Sequence, residues 1–184
     1  MQIDPRVEGA TRDLLEKVIG REYREIAEII EAFGERRTAE CLSLCLRVAG
    51  YIVIDICDHR WPTDSELRRI AQLMSENDLG FELPEADAYD FLARAALGFE
   101  PLAAVFSDGE KAGSVPILTT ASLLVAYRPD GQHWWEYLDV IQGGLEEAAP
   151  LSQAAFPAAL LLARRARTLV ESQDPAGRAG PASL

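Results

Sequence analysis

The sequence has few basic residues, and this scarcity argues against several functional classes. Its 184 residues include 18 Lys and Arg against 30 Asp and Glu, which gives a formal net charge of -12. No basic stripe with interleaved aromatic residues offsets this charge, so direct binding to nucleic-acid phosphates is not expected. The apolar runs are interrupted by Asp55, Asp58, Arg128 or Arg164 before they reach the ~18 residues of a membrane-spanning helix.

Cysteine is also scarce. Cys41, Cys45 and Cys57 are too few, and odd in number, for a disulfide framework, and the N-terminus shows no signal-peptide pattern. We therefore expect a reducing, cytoplasmic location. Cys41 and Cys45 share one face of a predicted helix, but no C-x-x-C pair accompanies them, so buried, reduced core thiols are predicted rather than a zinc site.

The motifs of the commonest enzyme classes are missing. The chain contains no G-x-S-x-G, P-loop, G-x-G-x-x-G or H-E-x-x-H sequence, so the usual hydrolase, NTPase, dinucleotide-binding and metalloprotease patterns are not present. The two histidines, His59 and His133, each follow an Asp in a predicted turn. We expect both to be solvated, with general-base work or metal binding as the alternative.

What the sequence does contain is helical periodicity. Hydrophobic residues make up 48% and charged residues 26% of the chain, as in a folded soluble domain, and no period-2 strand pattern appears. We predict one all-α domain over residues 1–173, a compact bundle of about seven helices, followed by a flexible tail or linker over residues 174–184.

Capping residues and breakers locate the predicted helices. The first runs from Asp4-Pro5 to about Gly34, and the second starts at Thr38 and ends near Cys57 or Asp58 as a central core helix. A capping box at Thr63 to Glu66 starts the third. The later helices are predicted from Pro84, over residues 101–106, over Ile117–Tyr127 after a start at Ser114 and Pro116, over residues 133–148, and over residues 151–170.

Two stretches, residues 51–67 and 122–138, repeat one plan. Each has an apolar helix, an Asp at its end, a short turn with an aromatic residue, and a Glu that enters the next helix. Asp58 with Asp64 and Glu66, and Asp130 with Glu136, can converge on a hard divalent cation such as Ca or Mg. The same carboxylates can instead cap the helix starts, where they also favour the helix dipole.

Tryptophan marks both repeated turns. Trp61 lies in the first, and Trp134-Trp135 lies in the second. Because adjacent helical residues point in different directions, only one of the pair can face the core. Trp61 and Trp135 are therefore candidate interaction residues, with packing inside the bundle as the alternative.

The two segments VIDICDHRWPTDSEL and LVAYRPDGQHWWEYL resemble the motif of the TerB-like, tellurite-resistance-associated helical domains. The resemblance covers roughly residues 39–145 and matches Asp58 and Glu66 in the first copy, and Asp130, Gly131 and Glu136 in the second. It implies an all-helical bundle with acidic metal-binding sites that acts as a sensing or interaction module. It also implies association with AAA-type ATPases.

The favoured hypothesis is a non-catalytic acidic module that docks a protein partner with a basic surface in a bacterial stress or defence system. Two alternatives stay open. One is a small metal-dependent hydrolase that uses clustered carboxylates with His59 or His133. The other is an acidic immunity or antitoxin protein that blocks a basic toxin. Convergence of the two turns on one cleft would favour the hydrolase.

Overall fold

The computed structural model describes residues 3–76 and 80–147 of the chain. Within these ranges it has a π-helical segment, Phe91–Ala96, no β-strand, and seven α-helices: α1 (Pro5–Ile19), α2 (Tyr23–Ile56), α3 (Asp64–Glu76), α4 (Glu85–Asp90), α5 (Leu102–Val105), α6 (Gly109–Tyr127) and α7 (Trp134–Glu147). The predicted all-α class is confirmed. The predicted helix over residues 151–170 and the tail over residues 174–184 lie outside the described residues.

Within these ranges, no helix is both long enough and apolar enough to cross a membrane.

Helix α2 is the centre of the bundle. It packs against α1, α6, α7 and the π-helical segment, and Val48, Ala49, Ile52 and Val53 on its C-terminal half are completely buried. Consecutive buried residues point to several sides of a helix, so this half is enclosed all round. The predicted central core helix is confirmed. Because burial of one large aliphatic side chain contributes about 1.5–3 kcal/mol, α2 is a main source of stability.

The predicted single helix up to Gly34 is wrong, because α1 ends before Gly20. Arg21 adopts a left-handed conformation, with φ of 63°, and the Glu22 N–H donates to the Lys17 carbonyl at 2.8 Å. This six-to-one hydrogen bond is the usual way in which a left-handed residue closes a helix. Arginine carries no sequence signal for that conformation, which explains why the break is missed.

Gly34 interrupts α2 instead of ending a first helix. It has φ of 69° and ψ of 167°, which are not helical values, and the chain continues as helix on both sides of it. The predicted cap at Thr38 is also wrong. The Thr38 hydroxyl donates to the Gly34 carbonyl at 3.0 Å, one turn back, which is the bond that a threonine forms inside a helix.

Helix α6 begins earlier than predicted. The sequence predicts a turn at Asp108 and a helix start at Ser114 and Pro116, but the Asp108 side chain accepts a hydrogen bond from the Glu110 N–H at 2.8 Å and caps a helix that starts there. Pro116 therefore lies inside α6, where its missing N–H leaves one carbonyl without its helical donor. Aspartate favours both a turn and a helix cap, so the residue type alone does not distinguish the two structures.

The helix predicted from Pro84 widens at its end. Its expected core residues are buried, and the Leu97 N–H donates to the Leu92 carbonyl at 3.0 Å, five residues back. Gly98 follows directly, and a Cβ there would lie 2.5 Å from the Arg94 carbonyl oxygen. Such an approach is sterically forbidden to other residues, so Gly98 permits the tight exit. The confirmed core residues are Ala88, Phe91, Leu92 and Ala95.

Candidate docking surface

The two repeated turns lie at the same end of the bundle. The Tyr137 hydroxyl in the first turn of α7 donates to Asp55 Oδ2 in the last turn of α2 at 3.2 Å. Tyr127 at the end of α6 is half-buried, and burial raises its pKa, while the positive charge of Arg69 in α3 acts in the opposite direction. The end of the bundle formed by residues 55–66 and 127–137 is called the turn end below.

The first turn is a helix-ending motif built without glycine. Asp58 and His59 both have positive φ, 52° and 63°. The His59 N–H donates to the Ile54 carbonyl at 2.9 Å, and the Asp58 N–H donates to the Asp55 carbonyl at 3.3 Å. Asp and His are among the residues that enter the left-handed region most readily. The sequence position of Asp58 is thus explained by backbone geometry.

Glu66 closes the predicted capping box at the start of α3. Its carboxylate accepts from the Thr63 N–H at 2.8 Å, and the Glu66 N–H donates to Thr63 Oγ1 at 3.3 Å. Arg60 also donates to Glu66 through both terminal nitrogens, with Nη1 at 2.8 Å from Oε2. Hydrogen bonds from Arg60 and then from Thr63 hold the pKa of Glu66 well below its usual range. The capping box is confirmed.

The second turn reaches the same capping arrangement through a different backbone. Gly131 has φ of 80°, and the Gln132 N–H donates to the Pro129 carbonyl at 3.1 Å, as in a turn that needs a glycine. The Glu136 carboxylate then accepts from the His133 N–H at 2.8 Å. In both turns a glutamate accepts a hydrogen bond from the N–H of the residue three positions before it, just ahead of the helix. The backbones that connect the helices differ.

Four of the predicted metal ligands form two groups that differ in their contacts. Glu66 and Glu136 are engaged at helix starts, while Asp58 and Asp130 are exposed and form no ion pair within the described residues. In residues 3–76 and 80–147, no group of three or more His, Cys, Asp or Glu side chains lies close enough together to hold a metal ion. Cation binding at these four residues stays a prediction.

The two candidate interaction residues are both open to solvent. Trp61 is 49% exposed and Trp135 is 40% exposed, although both are large apolar side chains. His133 stacks on Trp135 with ring centroids 4.1 Å apart and planes 7° apart, and Trp134 meets Trp135 edge-on at 5.8 Å. The surface around Trp135 is therefore an ordered aromatic cluster, which loses little side-chain entropy when it binds.

The three cysteines have a structural role. Cys41, Cys45 and Cys57 are free thiols and are buried. Desolvation raises the pKa of all three, to about 12 for Cys45. The nucleophilic thiolate is therefore disfavoured, in line with the predicted core thiols.

A cleft of about 440 Å³ opens beside the second turn. Sequence analysis missed it, because α1 contributes Ile19 to its wall and the predicted first helix passed through this position. Arg128, the cationic residue that lines the cleft, is also not part of any recognised sequence motif. The cleft is lined by Ile19, Val125, Arg128, Gly131, Gln132, His133 and Trp134.

Comparison with known proteins gives no relative from which to transfer a function. No protein-family model, no curated protein and no solved structure matches this chain. The resemblance to TerB-like domains therefore stays a prediction that depends on the two turn segments.

Proposed function

We propose that this chain is a non-catalytic acidic helical module that docks a protein partner through the turn end, with Trp61 and Trp135 as anchors. The observation that carries the proposal is the exposure of both indoles on turns that meet at one end of the bundle. Tryptophan is one of the residue types enriched among the side chains that dominate binding energy at protein interfaces.

Charge supports a partner with a basic surface. The chain has a formal net charge of -12, and Asp58 and Asp130 are exposed on the same turns as the two tryptophans. Charge complementarity speeds encounter and selects among partners more than it adds affinity. Aromatic anchors with nearby carboxylates thus suit a surface that presents lysine or arginine beside an apolar pocket.

The identity of the partner class follows from the TerB-like resemblance alone. It suggests an AAA-type ATPase in a bacterial stress or defence system, and it suggests that a divalent cation regulates docking. Both points are parts of the proposal that the experiments below can separate from docking itself.

A photo-crosslinking amino acid placed at position 61 or 135 tests the docking proposal in the source cell. Mass spectrometry identifies the crosslinked protein, which is then purified for binding measurements. We expect Trp61→Ala and Trp135→Ala each to weaken its binding about tenfold or more, mainly through faster dissociation. We also expect association to slow as salt rises.

Leu73 provides a matched control. It is 44% exposed and apolar, on the solvent face of α3, so Leu73→Ala removes a similar kind of surface and should leave binding unchanged. Equal binding by the wild type and both tryptophan variants, an equal loss in Leu73→Ala, or no specific crosslink from either position would each contradict the proposal.

A further inference from the structure

The cleft beside the second turn differs in charge from the chain as a whole. The chain has 30 Asp and Glu, yet none of the seven described residues that line the cleft is acidic. Arg128, Gln132 and His133 supply its polar side chains, which are a guanidinium, an amide and an imidazole. In an acidic protein, a concave site lined by a guanidinium and no carboxylate favours an anion over a cation.

Arg128 has N–H groups that are available to donate hydrogen bonds to a ligand. Its Nη1 donates to the Val125 carbonyl at 2.8 Å, which orients the guanidinium at the end of α6. Its other N–H groups form no hydrogen bond with another described residue. A guanidinium held on one side in this way presents a planar pair of donors, the geometry that matches a carboxylate.

The remaining walls of the cleft are apolar. Ile19 and Val125 line one part and the Trp134 indole lines another. Trp134 is half-buried, and its edge-on contact with Trp135, at 5.8 Å between ring centroids and 85° between planes, restricts its orientation. An indole fixed in this way offers an aromatic surface to a flat apolar group. The cleft also lies at the N-terminal end of α7, where the helix dipole favours negative charge.

We propose that this cleft binds a small carboxylic acid with a flat apolar body, such as an aryl acetate. The carboxylate pairs with Arg128, and the ring lies against Trp134 between Ile19 and Val125. A volume of about 440 Å³ accommodates one or two rings, since ligand sites start at roughly 300 Å³. This inference does not depend on the docking function proposed above.

Titration with phenylacetate, followed by the indole N–H signals of the three tryptophans in a ¹H–¹⁵N NMR spectrum, tests the proposal. A ligand of this size is expected to bind with a dissociation constant of about 1 mM. The Trp134 signal should shift and saturate, while the Trp61 signal in the first turn should stay in place. Phenylacetamide is the neutral analogue and phenethylamine the cationic one. The dissociation constant of each should be at least about ten times that of phenylacetate.

Substitutions assign the anion preference to one side chain. Arg128→Gln should weaken phenylacetate binding about tenfold and make its affinity equal to that of phenylacetamide. Arg128→Lys should keep part of the preference because the charge remains. Arg36→Gln is the matched control: its side chain is 92% exposed on α2, so it changes the net charge equally and should not affect binding. Thermal unfolding of each variant checks that the fold is intact.

Three results would overturn the inference: no saturable shift of Trp134, equal binding of phenylacetate and phenylacetamide to the wild type, or the same loss in Arg36→Gln as in Arg128→Gln. None of them affects the docking proposal, which depends on the crosslinked partner and on Trp61 and Trp135. Conversely, a crosslinking experiment that captures no partner contradicts the docking proposal and does not change the result expected from the phenylacetate titration.

Discussion

The Tyr137 hydroxyl donates a hydrogen bond to the Asp55 carboxylate at 3.2 Å, and this bond joins the start of α7 to the end of α2. Tyr137 is 4% exposed, and the two residues are 82 positions apart in the chain. A hydrogen bond to a charged group in a partly buried place holds its two elements in a fixed relation. The bond is therefore a direct link between the two turns that form the turn end.

The first prediction concerns this link. Tyr137→Phe should lower the free energy of unfolding by about 1–2 kcal/mol, because it removes the donor while keeping the ring in place. A double-mutant cycle with Asp55→Asn, measured by urea unfolding, should give a coupling energy of about 1 kcal/mol. Strictly additive effects of the two substitutions would show that the bond does not contribute.

The second prediction concerns two adjacent glycines in α7. Gly143 and Gly144 both lie in α7, and Gly144 packs against the Tyr51 side chain. A Cβ on Gly144 would lie 3.0 Å from Tyr51 Cε2, whereas a Cβ on Gly143 has no neighbour within 4 Å.

Gly143→Ala should therefore raise the free energy of unfolding by about 0.5–1 kcal/mol, since alanine favours the helix. Gly144→Ala gains the same propensity but must displace a buried tyrosine ring, so it should be at least about 1 kcal/mol less stable than Gly143→Ala. Urea unfolding of the pair measures the difference. Equal stability would mean that Tyr51 moves aside without cost.

The third prediction separates the two uses of Glu66. Glu66→Gln keeps an oxygen for the Thr63 N–H but weakens the pairing with Arg60, whereas Glu66→Ala removes both. Because the capping box accepts Glu or Gln, Glu66→Ala should lower the unfolding midpoint more than Glu66→Gln does. Thr63→Ala should cost about 1 kcal/mol by losing the capping hydroxyl.

Acid titration of these variants adds a second check. The pKa of Glu66 is lowered in the fold, so its contribution is present above the ordinary carboxyl pKa and is lost as the pH falls toward the lowered one. The stability difference between wild type and Glu66→Gln should therefore shrink below about pH 4. A difference that is constant with pH would contradict this assignment.

The fourth prediction tests the cation hypothesis. Asp58 and Asp130 are exposed and form no ion pair within the described part of the chain. If either binds Ca, Mg, Mn or Zn, that cation at ~100 times its dissociation constant adds about 2.7 kcal/mol to the folded state. We expect a cation-specific rise in the unfolding midpoint that Asp58→Ala or Asp130→Ala abolishes. No rise with any of the four cations would leave the carboxylates without this role.

The fifth prediction concerns Cys45. Burial raises its pKa from 9.0 to about 12, so above pH 9 the thiol ionises in the unfolded chain before it ionises in the fold. Unfolding then releases a proton, and stability falls as the pH rises, by up to about 1.4 kcal/mol per pH unit. Cys45→Ala should reduce this slope between pH 9 and 11 in urea unfolding, although it also lowers stability at pH 7 through a small cavity. An unchanged slope would contradict the burial of this thiol.

How far the sequence predicts the fold depends on which interaction decides each feature. The capping box at Thr63 and Glu66 and the burial along α2 were predictable, because local hydrogen bonding and helical periodicity determine them. The break at Arg21 was not, since arginine has no preference for positive φ. The π-helical turn at Leu97 likewise has no local signature.

The candidate surfaces show the same division. Exposure of Trp135 beside a more buried Trp134 follows from helical geometry and was predictable from two adjacent residues. The Arg128 cleft was not, because its wall includes Ile19, which is distant in sequence and reaches the site only through the packing of α1. Long-range pairs of this kind become visible only when the helices are in place.

The pairing of Glu66 with Arg60 changes what an approaching macromolecule senses. A carboxylate and a guanidinium in contact act together as a dipole, whose field decays faster with distance than that of one charge. Residues 55–66 and 127–137 hold six Asp and Glu against two Arg, and a Debye length of ~8 Å in physiological salt screens charges elsewhere on the molecule. The formal charge of the turn end is therefore -4, a third of the total of -12. Recognition here depends more on the shape of the indoles than on long-range attraction.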